Sequence, residues 1–271
     1  GWFTTVNSVT RNKLASVTLA TNTLDSWNPN VTSQYPWGLG GQVATLDVGG
    51  SKVYIGGLFD KVGTANRWKT AAIDTGTGLP NSWGASVAGS PLPGTGVLNG
   101  ESIRSLKVVG NRVYVCGRFN KGTQLINSTP ATVRRINFAA IDTSANYVTN
   151  LSINGCYNPN TDSNYTFAEC VNVINGKLYI GGSFGSFGGH YRRNLAAIDL
   201  VNNKILETFK PVFGFTSYLN DWSYINQIDI EDDTLYAVGY ADSINGVAPT
   251  GAVYRFAINN GYSFTSLPIT Q

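Results

Sequence analysis

The residues best equipped for chemistry recur at fixed spacing. Arg67, Arg135 and Arg192 each stand four residues before an Ala-Ala-Ile-Asp phrase that ends on Asp74, Asp142 or Asp199. A guanidinium and a carboxylate held close together could bind an ion or form an acid–base pair. One active site needs one such set, however, and this chain carries the set once per repeat. Periodicity therefore assigns the aspartates to turns, where a carboxylate accepts backbone N–H bonds from the residues that follow. The arginines read as links between repeats or as braces for the loop that precedes each phrase.

The other reactive groups are few. His190 is the only imidazole, within Gly188-Gly189-His190-Tyr191. No Gly-x-Ser-x-Gly elbow accompanies it, so a serine triad is not indicated, and no Cys-x-x-Cys or histidine cluster suggests a metal. Glycoside hydrolysis needs two carboxylates roughly 5 to 9.5 Å apart. The unrepeated acids are Glu101, Asp162, Glu169, Glu207, Asp221, Glu231, Asp232, Asp233 and Asp242. Glu101 and Glu169 occupy equivalent places, which favours structure over catalysis. An enzyme is therefore the alternative expectation, as a glycosidase or lyase using loop carboxylates. No Gly-x-Gly-x-x-Gly opens a helix, so no phosphate-bearing cofactor is implied.

Among the three cysteines, Cys116 replaces a glycine of a repeated strand phrase (Gly56, Gly181) and is expected to be a small buried thiol. Cys156 and Cys170 flank an asparagine-rich stretch in which neither helix nor strand is expected. A disulfide between them would close a segment of about 15 residues, contribute roughly 3 kcal/mol, and imply an oxidising compartment. Two reduced loop thiols in a cytosolic protein are the alternative. The net charge of +3 comes without a lysine or arginine run, so neither nucleic acid nor an anionic membrane is an expected partner. No apolar stretch approaches the ~18 residues of a membrane span. The chain opens inside a repeated phrase and has no methionine, which reads as a piece of something longer.

What holds these groups is the repeat. Val53-Tyr54-Ile55-Gly56-Gly57-Leu58-Phe59 returns as Val113 to Phe119, as Leu178 to Phe184 and, more loosely, as Leu235 to Tyr240. The tyrosines fall at 54, 114, 179 and 236, a period of about 60 residues. Gly1-Trp2-Phe3 matches the end of that phrase, and Arg11 precedes Ala15 by the recurring four. The chain thus holds four full units and the tail of another, at about 1–30, 42–84, 101–151, 169–211 and 225–268. Phe256-Ala257-Ile258-Asn259 is the weakest match to the second phrase, with Ala252 where an arginine is expected. Within a unit the alternation predicts four strands, a to d, which in the second unit lie at 42–48, 52–59, 69–73 and 79–83. Repeated four-stranded antiparallel units that cannot bury their own apolar faces must stack on one another, as in a β-propeller.

The Gly-Gly-x-Phe strand, the arginine, the Leu-Ala-x-Ile-Asp strand, the Thr-Gly turn and the closing Trp-x-Pro resemble the extracellular β-propellers built of roughly 60-residue (delta-60) repeats. The fullest copy runs from Tyr179 through Arg192, Asn194-Leu195-Ala196-Ala197-Ile198-Asp199 and Phe209-Lys210-Pro211. The resemblance implies an all-β fold, a single five-bladed propeller domain with four-stranded antiparallel blades, and an extracellular or cell-surface location. The first blade is then incomplete or closed by residues 263–271.

Strand alternation puts the b-to-c and d-to-a loops on one face. The d-to-a loops are long and aromatic, and long loops on a rigid scaffold commonly carry recognition. Trp37, Tyr165, Tyr218 and Trp222 are the candidate stacking platforms for sugar rings, with Asn220 and Asp221 as hydrogen-bonding neighbours. The expectation is an adhesin-like module of a larger surface or fibre protein that binds a glycan. A cell-surface protein ligand, or simple packing of the aromatics onto the blades, are the competing readings.

Overall fold

Alternating β-branched and aromatic residues punctuated by glycine turns place the strands. The computed structural model describes residues 1–33, 41–84, 87–88, 102–149, 151, 153, 155–157, 166–214, 223–258 and 263–267. In unit two, Gln42–Gly49 (a) and Lys52–Leu58 (b) form a hairpin around Gly50, whose φ of 61° suits a residue without Cβ. Thr70–Asp74 (c) pairs antiparallel with the other edge of b. The same order recurs at Ser102–Val109, Arg112–Arg118 and Phe138–Asp142 in unit three. Unit four repeats it with Phe167–Ile174, Lys177–Ser183 and Leu195–Asp199, and unit five with Tyr224–Glu231, Thr234–Tyr240 and Val253–Ala257. The protein is all-β, with no helix among the described residues.

Strand d differs between units. It is a strand in unit four (Lys204–Ile205) and unit five (Ser263–Leu267), but a single bridge in units two and three, Ile73 to Pro80 and Ile141 to Val148. Pro80 has no N–H to extend a ladder, and Val148 gives its N–H to Thr123 instead. Unit five also corrects the sequence alignment by two residues. Phe256 stands opposite Leu235 as Ile198 stands opposite Leu178, so Ala257 holds the aspartate position. A shift of two preserves which residues face inward, so alternation could not detect it. Ser263–Leu267 pairs with Val253–Ala257, not with residues 2–6, so it does not complete the first unit.

The amino terminus does carry the expected half-unit. Lys13 N–H bonds Phe3 O just as Lys69 bonds Phe59, Asn137 bonds Phe119 and Asn194 bonds Phe184. Lys13, Lys69, Asn137 and Asn194 share a left-handed backbone, with φ of 67°, 65°, 61° and 61°. That kink turns the chain from the b-to-c segment into strand c.

The cores lie between sheets. Tyr54, Ala72 and Trp83 of unit two pack with Ile103, Leu106 and Val115 of unit three. Corresponding clusters join units three to four and four to five. The cluster between units one and two is the smallest. Close approach is set by size matching at one position of strand b. A Cβ on Gly56 would come within 2.5 Å of Ile103, and one on Gly181 within 2.6 Å of Ile225. Where Cys116 occupies this position, the equivalent residue of the next strand a is Ala168, and both are fully buried.

Each b-to-c segment is itself a short hairpin. Thr5–Val6 pairs with Val9–Thr10, Lys61–Val62 with Ala65–Asn66, Lys121–Ile126 with Thr129–Arg134, and Ser186–Phe187 with His190–Tyr191. Asn7-Ser8, Asn127-Ser128 and Gly188-Gly189 turn them with both φ values positive, the geometry that matches hairpin twist. A piece of the preceding d-to-a connector then adds to the hairpin: Val31–Thr32, Val87–Ala88, Cys156–Tyr157 and Phe213–Gly214 join the hairpins of units two to five respectively. The two kinds of loop therefore share one face, as alternation requires, and the connectors staple each unit to the next.

Candidate recognition surface

The recurrent charged residues are structural. Arg11, Arg67 and Arg135 each donate to the carbonyl of the preceding residue and to a carbonyl beyond strand c, of Asp25, Asn81 and Thr149 respectively. Arg192 donates to Tyr191 O at 2.9 Å and to Glu207 Oε2 at 2.5 Å. Each arginine thus clamps the ribbon of its own unit to the end of that unit. Asp74 Oδ1 accepts the N–H groups of Gly76 and Thr77, Asp142 that of Ser144, and Asp199 those of Val201 and Asn202. All three carboxyls are held below the usual carboxylate range, Asp142 chiefly by the Ser144 hydroxyl and Asp199 by the Asn202 side-chain amide, Asp74 chiefly by the Thr77 N–H, with the other backbone bonds adding to this.

Strand a joins neighbouring units through a polar row. The Oγ1 of Thr45 accepts Leu106 N–H and the Oγ of Ser105 accepts Val171 N–H, each at 3.2 Å. Cys170 holds the same place in unit four and receives Ile228 N–H on its sulfur. This role explains a correction to the cysteine expectation. Cys116, Cys156 and Cys170 are all buried and free, with no disulfide between Cys156 and Cys170. Both lie in strands: Cys156 faces Phe187 in a ribbon, while Cys170 pairs with Gly181. Burial pushes all three thiols up. Glu169 sits beside them at the bulge of strand a, its carboxyl raised by burial against the opposing pull of Arg104, 3.9 Å away.

His190 Nδ1 lies 2.8 Å from Glu207 Oε1, completing a surface cluster with Arg192. The Arg192 hydrogen bond holds the Glu207 carboxyl below its ordinary range.

Two concavities among the described residues lie on the ribbon face. A cleft of about 530 Å³ runs between the ribbons of units two and three. Trp68 lies in its wall, 56% exposed. Around it stand Asn66, Ser82, Thr123, Thr132 and Asn146, with Arg67, Lys69 and Lys121 as cations and no carboxylate among the described lining residues. The position is built by the clamp described above. Arg67 is held by Asn66 and Asn81 carbonyls and Lys69 by its left-handed backbone, which leaves Trp68 between two fixed residues. A second cleft, about 370 Å³, lies beyond the same hairpin and shares Lys121 and Thr132 with the first. A flat, partly exposed indole with amides and hydroxyls nearby can stack on a sugar ring and hydrogen-bond its hydroxyls.

Trp37, Tyr165, Tyr218, Asn220, Asp221 and Trp222 all lie outside the described residues. Trp68 is the residue that sequence reasoning passed over. Its signal was its place between Arg67 and Lys69, where the other units carry Asn12, Ile136 and Arg193. Tyr54 and Tyr179, in contrast, are buried in the core, each edge-on to the closing aromatic of its unit, Trp83 or Phe209, at 5.0 and 5.2 Å. Trp27 and Trp83 donate their indole N–H to the carbonyls of Asp74 and Asp142 in the next unit.

No family model matches the chain, and no curated protein does. Among solved structures it is similar to the computationally designed Ika4 protein, at 10% identity and a TM-score of 0.41, over 84% of this chain and 97% of that one. It is also similar to the designed Ika8 protein, at 10% identity and a TM-score of 0.29, over 85% of this chain and 74% of that one.

Proposed function

We propose that the units form a five-bladed β-propeller and that the protein is an extracellular recognition module whose ribbon face binds a glycan. The stacking of successive sheets through their a and b strands supports the ring, as does the sequence resemblance to the 60-residue propeller repeats. One observation carries the binding reading: Trp68 stands exposed in a cleft whose described lining offers amide, hydroxyl and cationic side chains and no carboxylate. A core aromatic would be covered, and a hydrolase cleft would present acids. The sequence expectation that Trp37, Tyr165, Tyr218 and Trp222 act as further stacking platforms is carried as part of this proposal.

A glycan array with the purified protein, repeated with Trp68→Ala, tests this. The expected result is binding to a restricted set of glycans, weakened about tenfold or more by the substitution, in line with the ~1–3 kcal/mol of an aromatic anchor. Absence of any glycan binding, or binding indifferent to Trp68→Ala, would remove the reading. Release of cleaved sugar from a bound glycan would favour the glycosidase alternative.

A further inference from the structure

Charge is distributed unevenly between the units. Unit three (101–151) holds seven lysine and arginine residues against two acids, more net positive charge than the +3 of the whole chain. Several of these cations have acceptors: Arg104 faces Glu169, Lys107 faces Asp47, Arg112 donates to Asn203 Oδ1, and Arg135 serves the clamp. Lys121 and Arg134 do not. Both are exposed, and among the described residues neither side chain has a hydrogen-bond or ion-pair partner. They are also direct cross-strand neighbours in the ribbon, where Cβ atoms stand roughly 4.5–5.5 Å apart and like charges oppose pairing. The fold does not require this arrangement. The same outermost pair of the ribbon is Thr5 with Thr10 in unit one, Lys61 with Asn66 in unit two and Ser186 with Tyr191 in unit four.

The repelling pair lies where the two clefts share a wall. Lys121 and Thr132 line both, and the smaller cleft adds Arg134, Asn120 and Thr166, with no carboxylate among the described lining residues of either. Thr166 is a second, independent pointer. It is 3% exposed, its carbonyl accepts a bond from Asn137 Nδ2 at 2.8 Å, and its hydroxyl oxygen has no hydrogen-bond partner. A buried hydroxyl without a partner costs stability, and this one borders a cleft.

We propose that the ligand of this face is an acidic glycan, and that the smaller cleft receives its carboxylate or sulfate group. The proposal rests on the glycan reading above and adds the substrate class. A glycan that crosses the ribbon puts one ring on Trp68 in the larger cleft and the anionic group of an adjoining sugar between Lys121 and Arg134. The guanidinium offers two parallel N–H donors to a carboxylate or to two sulfate oxygens, and the ammonium adds a point charge. The Thr166 hydroxyl donates a further bond, which gives that buried oxygen its partner. The anion also offsets the repulsion within the cation pair, and cleft walls of one sign concentrate the attraction.

The test is an array of matched glycan pairs read with the intact protein: uronic-acid oligosaccharides beside their carboxyl-reduced forms, and sulfated neutral oligosaccharides beside their unsulfated forms. The acidic member of a pair is expected to bind about tenfold or more tightly than the neutral one, and the pairs that show the preference tell carboxylate from sulfate. Lys121→Gln combined with Arg134→Gln should cancel that preference and leave the neutral member bound as before, whereas Trp68→Ala should weaken both. Thr166→Val should weaken the acidic member about threefold while the melting temperature stays level or rises, because a methyl replaces an unpartnered hydroxyl. The double variant should likewise melt no lower than the wild type. A fall in melting temperature in either protein would assign these groups to the fold and overturn the proposal. Equal binding of paired members, with the Trp68 dependence intact, would overturn it and leave the glycan reading standing; no binding to any glycan would remove both. A single-stranded oligonucleotide of matched charge that binds as tightly through the same residues would show a response to charge alone and overturn it too.

Discussion

If size matching at the sheet interfaces governs how closely the units stack, the Cys116–Ala168 solution should be transplantable to the interface between units four and five. Gly181→Cys places a Cβ 2.6 Å from Ile225 Cγ2 and 2.7 Å from Cys170 Sγ. Overpacking of this kind costs about 1–3 kcal/mol. Ile225→Ala removes a fully buried side chain, at roughly 2–5 kcal/mol. A Cys170→Ser background reproduces Ser105, the residue opposite Cys116. In that background, the space vacated by isoleucine receives the new sulfur, and the double variant should be more stable than the sum of the single effects by about 1–2 kcal/mol. Urea unfolding of the four proteins of the cycle measures this directly. Additivity within about 0.5 kcal/mol would show that the two positions do not meet as the register implies and would refute the size-matching argument.

Three other outcomes are expected. Native protein should resist a thiol reagent, and three thiols should be titrated after denaturation without reductant; recovery of only one would mean that Cys156 and Cys170 are bridged. Glu207→Ala should cost about 1–3 kcal/mol, because it leaves the buried Arg192 guanidinium without its acceptor, while Glu207→Gln, which keeps an acceptor oxygen, should cost less; equal effects in thermal unfolding would contradict the clamp. Stability should also depend on pH with opposite signs at two kinds of carboxyl. The depressed carboxyls of Asp74, Asp142 and Asp199 stabilise the fold above the ordinary aspartate range and lose that contribution as pH falls through their folded values, so Asp142→Asn should lower the melting temperature at neutral pH and not near pH 2. The raised Glu169 carboxyl binds its proton more tightly when folded, so its ionisation costs stability as pH rises above the ordinary glutamate range, and Glu169→Gln should be relatively more stable at pH 7 than at pH 4. A pH-independent difference for either variant would contradict its assignment.

The strand phrases were legible because alternation and the glycine turns are local signals. So were the turn aspartates and the arginine braces, since repetition itself argued against catalysis. The ribbon layer was not. Its strands are mostly two residues long and polar, too short for periodicity, and only the Asn-Ser and Gly-Gly pairs at their tips hinted at hairpins. The left-handed residue before strand c is lysine in two units, a residue type that gives no such signal. Cys170 was misjudged because a sulfur accepting a backbone N–H in place of threonine or serine leaves no mark on composition. Trp68 was missed because attention fell on long connectors, whereas its exposure follows from two short-range constraints on Arg67 and Lys69.

The recognition reading rests on one indole. The most direct test is a titration of the strongest array glycan followed in the indole N–H region of the proton–nitrogen spectrum. The Trp68 signal should shift in a saturable way, while Trp83, buried and bonded to the Asp142 carbonyl, should stay in place. A titration that leaves the Trp68 signal unmoved while other indoles shift would place the binding surface elsewhere and contradict the account.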